Sequence, residues 1–424
     1  MRKRWSATAA LSAALVASLT ACSSSSGGFQ SSGGSGSTSS AHLRLLVNIT
    51  PVLTKQFYEN LVAPYEAAHK GVTISIESQT NADVGTQLQQ EIAAGNAPDL
   101  VSGSLTPNVV PQLTALPGDD WVKSAPYAVQ SEIGGKIWQA GSGIQVQSIV
   151  FYNKTDFAQA GITAAPKSLD QFTADLVKLK NAGFVPTQTA GDWVTGAQFE
   201  MMANSTVFDT SPNWFVSRNK NSVQFADSDW AKVLGIYDSW ITQSLVTPSA
   251  MGLKYQDSID QFLAGKAATY IMGSWFIPTA DSTKKNFQVG VFAMPTLSGA
   301  PAPVAADPSI PWSILKSSKN QAADLSLLQY LVTDKTAVTE ELKAEDNFRK
   351  GYSYPGTPLN DAVSSIVAAA PKTVPASTGL GDNTAASGFG DELNELVQGL
   401  YTGQTPQQVL SALDTWYDSN EGAQ

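Results

Sequence analysis

The chain has 424 residues, which is enough for two or three domains with their own cores at about 100 to 200 residues per domain. It carries 26 Lys and Arg against 36 Asp and Glu, a formal net charge of −10, without the clustered positive charge that nucleic acid requires. With 42% apolar and 15% charged residues, the body is expected to be globular. One cysteine excludes an internal disulfide, and two histidines are too few for a histidine-rich metal site. We therefore expect no nucleic-acid partner, no metal and no cofactor.

The N-terminus has the pattern of an export signal. Three basic residues, Arg2 to Arg4, precede the apolar stretch Trp5–Leu19, which is too short to span a bilayer comfortably. The segment ends in Leu-Thr-Ala-Cys, which resembles the lipobox of bacterial lipoproteins, whose cysteine receives a lipid and becomes the new N-terminus. The resemblance predicts a signal peptide over residues 1–21 and a lipid on Cys22. The alternative is an ordinary signal peptide followed by a chance cysteine.

A Ser/Gly-rich segment follows the cysteine. Nearly every residue from Ser23 to Ser40 is Ser or Gly, a composition that cannot bury enough apolar surface to order itself. We expect residues 22–42 to be a flexible tether. Together with the lipid on Cys22, it would hold the folded body at the extracytoplasmic face of the bacterial cell membrane.

Strands and helices alternate from Leu43 onward. The apolar patterns predict a strand over Leu43–Ile49, a helix over Thr54–His69 and a second strand over Val72–Ile76. A helix over Asp83–Ala94 and a strand over Asp99–Ser102 follow. This βαβαβ order predicts a parallel sheet flanked by helices.

A second set of α/β elements begins at Ser148. The patterns predict strands over Ser148–Tyr152 and Ala267–Met272, and helices that begin at Ser168, at Asp227 and at Thr405. Ser168 and Thr405 each have a glutamine three residues on, which is a capping box. A second α/β domain is therefore expected.

Sequence motifs for catalysis are absent. The chain has no Gly-rich phosphate loop, no nucleophile elbow, no zinc-binding histidine pair and no calcium loop. Paired carboxylates cannot be recognised without a geometry, so a secreted glycoside hydrolase remains an alternative function.

Two tryptophans stand where open sheets bind ligands. Trp275 comes immediately after the strand that ends at Met272, and Trp193 lies in a Gly-Asp-Trp loop that follows another strand. A flat indole suits a sugar ring, because the sugar's C–H groups meet the negative π face while its hydroxyls form hydrogen bonds at the rim. The alternative for each is partial burial in a core, which is the favoured interpretation of Trp312.

Five motifs in a fixed order resemble the extracellular solute-binding proteins of the maltose-binding type. Each motif is weak by itself, but together they extend over most of the chain behind the lipobox and the tether. They are Glu91–Leu100, Phe151–Lys154, Phe262–Trp275, Val289–Pro295 and Gly403–Gln408.

The resemblance implies an α/β two-lobe fold of the periplasmic-binding-protein type II, a Venus flytrap with strands that cross at a hinge. It places the first lobe at residues 43–145 and 295–345 and the second at 149–287 and 350–424. By position, Ile144–Ser148 and Phe287–Met294 resemble two of the crossing segments. The implied function is a monomeric, non-enzymatic receptor that binds a sugar or oligosaccharide between the lobes and delivers it to the permease of an ABC importer.

The family's ligand contacts carry over by motif to residues of both lobes. In the first lobe the contacts follow strands and are Thr50, Asn81, Ser102 and Ser104. In the second lobe they are Trp193, Trp275 and Phe389. The loops expected to face the cleft add Asp307 and Arg349. Close maltose binders have charged or aromatic residues where this chain has Ser-Gly-Ser, so a carbohydrate other than maltose is expected. Amino acids, peptides or polyols as cargo, and a lipoprotein that senses its ligand, stay open as alternatives.

Overall fold

Three small sheets organise the part of the chain that the structure describes. This computed structural model describes residues 40–50, 52–79 and 84–420, all within the unit formed by residues 37–424. The predicted signal peptide, Cys22, Asn81 and nearly all of the predicted tether lie outside the described residues. Of the helices in the described ranges, none is long and apolar enough to cross a membrane.

The secondary structure alternates as the sequence predicts. The strands are β1 (Ala41–Val47), β2 (Val72–Ser78), β3 (Leu100–Ser102), β4 (Gly143–Val146), β5 (Ile149–Asn153), β6 (Thr187–Gln188), β7 (Thr269–Met272), β8 (Val289–Ala293), β9 (Val304–Ser309), β10 (Trp312–Ile314) and β11 (Thr373–Pro375). The helices are α1 (Lys55–Ala68), α2 (Val84–Ala93), α3 (Asp120–Lys123), α4 (Lys154–Gln159), α5 (Leu169–Asn181), α6 (Val194–Thr210), α7 (Trp214–Arg218), α8 (Asp229–Thr242), α9 (Tyr255–Leu263), α10 (Ile277–Ser282), α11 (Gln321–Thr333), α12 (Lys335–Ala344), α13 (Pro358–Ala369), α14 (Phe389–Gln398) and α15 (Pro406–Asn420).

The first sheet has the order β10-β3-β1-β2. Strand β1 runs parallel to β2 and β3, which confirms the parallel βαβαβ prediction, while β10 is antiparallel to β3. The core around this sheet draws its side chains from residues 43–140 and 310–337. Trp312 is fully buried in it, and its indole N–H donates to Glu341 Oε1 at 3.3 Å, so the interpretation of Trp312 as a core residue is confirmed. We call this core and its sheet the first lobe.

The second sheet has the order β6-β7-β5-β8, with β5 antiparallel to both β7 and β8. A core drawn from residues 150–305 and 374–417 covers it, and we call this part the second lobe. Local capping signals fix several of its helices. Ser168 and Thr405 cap α5 and α15 as predicted, with their side chains accepting from the backbone of Gln171 and Gln408. The cap of α8 is Ser228 rather than Asp227, because the Ser228 hydroxyl accepts from the Trp230 N–H.

A third, hinge sheet connects the other two. Strand β4 is antiparallel to β9, and β11 is parallel to β9. Along the chain β4 leads into β5 of the second sheet, and β9 leads into β10 of the first. Residues 144–148 are therefore in a crossing segment, as predicted, but residues 287–294 are not. They contain β8, which is held in the second sheet by its pairing with β5, and β9 is the crossing strand.

Candidate functional site

An aromatic surface lies at the end of β7 in the second lobe. Trp275 follows the strand directly, and Gly273 makes room for its indole, since a Cβ on that glycine would lie 2.0 Å from the ring. Trp193 is 37% exposed, and its ring centre is 4.6 Å from that of Tyr255, the first residue of α9. Tyr255 also neighbours Trp275: burial raises the pKa of Tyr255 to about 12, and hydrogen bonding with Trp275 opposes that rise. The structure therefore brings the two predicted tryptophans together around a tyrosine that the sequence analysis missed.

A buried carboxylate lies within electrostatic reach of this aromatic surface. Glu345, just after α12, is 5% exposed and accepts hydrogen bonds from Gln145 Nε2 at 2.7 Å and Thr50 Oγ1 at 3.3 Å. Burial raises the pKa of Glu345 to about 7, although these hydrogen bonds favour its charged form. The charge of Glu345 in turn raises the pKa of Tyr255. Glu345, which Thr50 and Gln145 hold by hydrogen bonds, is thus close enough for its charge to act on Tyr255 of the aromatic surface.

Two further carboxylates extend the polar surface along the hinge sheet. Asp307 on β9 is directly opposite Gln145 in the register, and it accepts a hydrogen bond from Gln147, the residue that directly follows β4. Burial, and then the charge of Glu200 on α6, raise the pKa of Asp307 to about 8. Burial raises the pKa of Glu200 to about 7.

We call Glu345, Asp307 and Glu200 the carboxylate row. Their polar neighbours are the amides and hydroxyls of Thr50, Gln145, Gln147, Asn204, Asn347 and Ser377. In the part of the chain that the structure describes, no lysine or arginine contributes to the pKa of any member of the row. The same residues contain no group of three or more His, Cys, Asp or Glu side chains placed to hold a metal ion. The row therefore presents hydrogen-bonding oxygens without a counter-ion.

The raised pKa values predict how stability depends on pH. A carboxylate whose pKa is higher in the folded than in the unfolded protein binds more protons when folded. Stability therefore falls as the pH rises from the unfolded pKa to the folded pKa. The interval here runs from the unfolded values near 4 to folded values of about 7 to 8. We expect the free energy of unfolding in urea to be lower at pH 8.5 than at pH 5.5. An Asp307→Asn variant should show a weaker pH dependence, whereas stability that rises over this interval in the parent would contradict the assignment.

Ser104 and Phe389 border one cavity at the edge of the two lobes. The cavity has a volume of about 370 Å³, and its walls come from Gly85, Ser104 and Asn108 on one side and from residues 378–391 on the other. Ser104 is exposed there, as a ligand contact requires. Phe389 is only 1% exposed and its ring stacks on Phe225 at 5.6 Å in the second core. The structure makes Phe389 a core residue, because the apolar side of α14 packs inward.

Two other predicted contacts have structural roles. Ser102, at the end of β3, is 1% exposed and is paired in the sheet with Trp312. Arg349 donates from Nη1 to the carbonyl oxygens of Ser142 and Val332, at 3.0 and 2.7 Å, and lies 4.8 Å over the Tyr352 ring. It lines a separate cavity of about 830 Å³ together with Ile144. Since Ile144 alternates with Gln145 along β4, this cavity is on the other face of the hinge sheet.

Comparisons with known proteins agree with this architecture. A family model described as bacterial extracellular solute-binding protein matches residues 50–338. A protein of Brucella abortus (strain 2308) that is named as a binding protein is 22% identical over 309 residues, which cover 70% of this chain and 73% of the relative.

Solved structures resemble the chain over nearly their whole length. A chitin oligosaccharide binding protein superposes with a TM-score of 0.78 at 23% identity, covering 90% of this chain and 99% of its own. The solute-binding protein RafE in complex with raffinose superposes with a TM-score of 0.73 at 17% identity, covering 90% and 100%. The predicted two-lobe α/β fold is thereby confirmed. Because the family model matches residues 50–338, which is most of the chain, this protein belongs to the bacterial extracellular solute-binding proteins, a family of binding proteins rather than enzymes.

Proposed function

We propose that this protein is the lipid-anchored, extracytoplasmic receptor of an ABC importer, and that it binds a sugar or oligosaccharide between its two lobes. The observation that carries the proposal is the aromatic surface of Trp193, Tyr255 and Trp275, placed within electrostatic reach of Glu345. Aromatic faces and a few convergent polar groups are the combination that binds sugar rings and orients their hydroxyls. The ligands named for the two solved structures, a chitin oligosaccharide and raffinose, support a carbohydrate.

The proposed binding set combines predicted and newly found residues. The residues that keep the predicted role of ligand contacts are Trp193, Trp275, Thr50, Ser104 and Asp307. The structure adds Tyr255 and Glu345 to this set. Asn81 remains a predicted contact. Phe389 and Arg349 are left out because their side chains are used in packing and in internal hydrogen bonds, and Ser102 is left out because it is buried at 1% exposure.

Domain closure would couple binding to delivery. Sugar between the lobes contacts both, so it stabilises the closed arrangement over the open one in proportion to its extra contacts. The permease of the importer would recognise the closed surface and receive the sugar unchanged. In this proposal the first lobe is residues 43–145 with 310–345 and the second is residues 149–303 with 350–424, because β8 pairs in the second sheet and β9 is the crossing strand. The working form is a monomer, and the lipid on Cys22 with the tether of residues 22–42 attaches it to the membrane.

The carboxylate row predicts discrimination against acidic sugars. A sugar carboxylate entering the cleft would meet Glu345, Asp307 and Glu200 without a cation to offset them, and like charges brought together at a binding site cost several kcal/mol. We expect a neutral oligosaccharide that binds, such as a chitin oligosaccharide or raffinose, to bind about tenfold or more tightly than its uronic acid derivative at pH 8.5. The difference should shrink at pH 6, where the row is largely protonated.

Calorimetric titration of the protein with each pair of sugars measures this discrimination. An Asp307→Asn variant should bind the acidic derivative more tightly than the parent does. Equal affinity of the parent for the neutral and the acidic sugar at pH 8.5 would show that the row does not face the ligand.

A further inference from the structure

The segment Ala376–Gly388, which we call the strap, leaves the hinge sheet and touches both lobes. It begins directly after β11, where the Ala376 N–H donates to the Ala306 carbonyl at 3.2 Å. The next residue, Ser377, donates to the side chain of Asn204 on α6. The base of the strap is therefore fixed to the hinge and to the second lobe.

The middle of the strap is held by the first lobe. Leu380 is 2% exposed, and it is buried in an apolar cluster with residues of β1, β3 and α2, namely Leu46, Val101, Val84 and Leu88. The Asp382 N–H donates to the Glu132 carbonyl at 2.9 Å, and the Asp382 carboxylate accepts from the Gly134 N–H at 3.3 Å. Near the end of the strap, Ser387 Oγ accepts from the Asn108 N–H at 3.2 Å.

Two residues between Asp382 and Ser387 are held by the second lobe. The Asn383 amide donates to the Pro212 carbonyl at 2.7 Å and accepts from the Val216 N–H at 3.2 Å. The Ala386 N–H donates to the Tyr417 hydroxyl at 3.0 Å. Leu380 thus projects from a segment anchored in one lobe into the apolar interior of the other.

We propose that the strap is a latch for the closed arrangement of the lobes, in which Leu380 is the positioning residue. The inference rests on the proposed function, since closing on a sugar is the event that the latch would favour. If the lobes separate while Asn383 and Ala386 stay in the second lobe, Leu380 must leave its apolar cluster and expose its side chain to water. Because that exposure is unfavourable, the contact stabilises the closed arrangement without touching the ligand. The strap also forms one wall of the cavity that Ser104 borders, so its release would open that side of the cleft.

The test compares Leu380→Ala with Leu393→Ala in the full chain. Leu393 is equally buried, at 1% exposure, but it packs only within the core of the second lobe. Small-angle X-ray scattering without ligand reports opening as a larger radius of gyration. Stopped-flow dissociation of a neutral oligosaccharide reports closure as a slow release. We expect Leu380→Ala to increase the radius of gyration and to speed sugar release about tenfold. Alanine loses part of the free energy that is gained by burying the leucine side chain, and this loss weakens only the closed state, in which the side chain is buried. Leu393→Ala should lower the stability of folding but leave both readouts at the parent's values.

The two readouts separate failure of the latch from failure of the proposed function. If the parent binds no sugar, the proposed function fails, while the scattering comparison still decides whether the strap holds the lobes together. If Leu380→Ala matches the parent in both scattering and release, the latch is ruled out. Should Leu380→Ala fail to fold, the polar variant Asp382→Ala removes the bond to Gly134 and is expected to change both readouts in the same direction by a smaller amount. If Asp382→Ala then matches the parent in both the radius of gyration and the rate of sugar release, the proposal is overturned.

Discussion

Replacing Trp275 by alanine is expected to weaken binding of a neutral oligosaccharide by about tenfold or more, because the variant loses the aromatic face on which the sugar ring stacks. The indole is partly buried against Gly273 and lies beside Tyr255, so one face is already fixed by the protein before ligand arrives. A preorganised ring binds without the entropy cost of ordering a mobile side chain. Titration followed by calorimetry measures the loss directly, since removing a tryptophan complicates a fluorescence readout.

Trp416→Ala is the matched control for this prediction. Trp416 is also a partly buried tryptophan of the second lobe, but it lies on α15 and packs against the core beside Tyr417. Its replacement should cost some stability and leave the sugar affinity unchanged. If Trp275→Ala binds the sugar as tightly as Trp416→Ala, the aromatic surface is not the binding platform.

Arg218→Ala is expected to lower the free energy of unfolding by about 3 kcal/mol. The Arg218 guanidinium is fully buried, lies 4.5 Å over the Tyr417 ring, donates to the Asp414 carbonyl at 3.2 Å and pairs with Asp418. These contacts tie α7 to the C-terminal helix α15. Alanine would leave a cavity beside Tyr417 and remove the cation that faces Asp414, both of which destabilise the folded state. Urea unfolding measured at neutral pH gives the difference.

The exposed ion pair of Lys232 and Asp229 provides the control for Arg218. These residues are joined at 2.8 Å on α8, but the lysine side chain is 70% exposed, so Lys232→Ala should leave the free energy of unfolding close to the parent's value. An intermediate loss is expected for Arg218→Lys, which keeps the charge but not the planar fork of donors. A loss in Arg218→Ala no larger than in Lys232→Ala would contradict the structural role of the buried guanidinium.

The parts of the fold that the sequence predicted are those fixed by local chemistry. Ser168 and Thr405 start helices because their hydroxyls cap backbone N–H groups only two or three residues away. The order of strands β1 to β3 follows from short connections that permit few topologies. The pairing of β4 with β9 joins residues about 160 positions apart, and no local pattern distinguishes β9 from β8 as the crossing strand.

The candidate site was predictable only in part for the same reason. The position of Trp275 just after a strand was enough to select it, because ligands bind at that edge of an open sheet. Tyr255 and Glu345 carry no comparable local signal, and they become relevant only when the fold brings α9 and the end of α12 near each other. Phe389 shows the opposite case, since an aromatic residue at the start of a helix has the same sequence pattern whether it stacks on a ligand or fills a core.

Calorimetric titration of the protein with neutral oligosaccharides, chitin oligosaccharides and raffinose among them, tests the central claim most directly. The account predicts that at least one of them gives heats that saturate at one sugar per protein and return to the baseline after each injection, because the sugar is held and not altered. Heats that continue after each injection would show that the sugar is being cleaved. No saturating heat with any neutral sugar would contradict the claim that the aromatic surface of Trp193, Tyr255 and Trp275 binds a sugar.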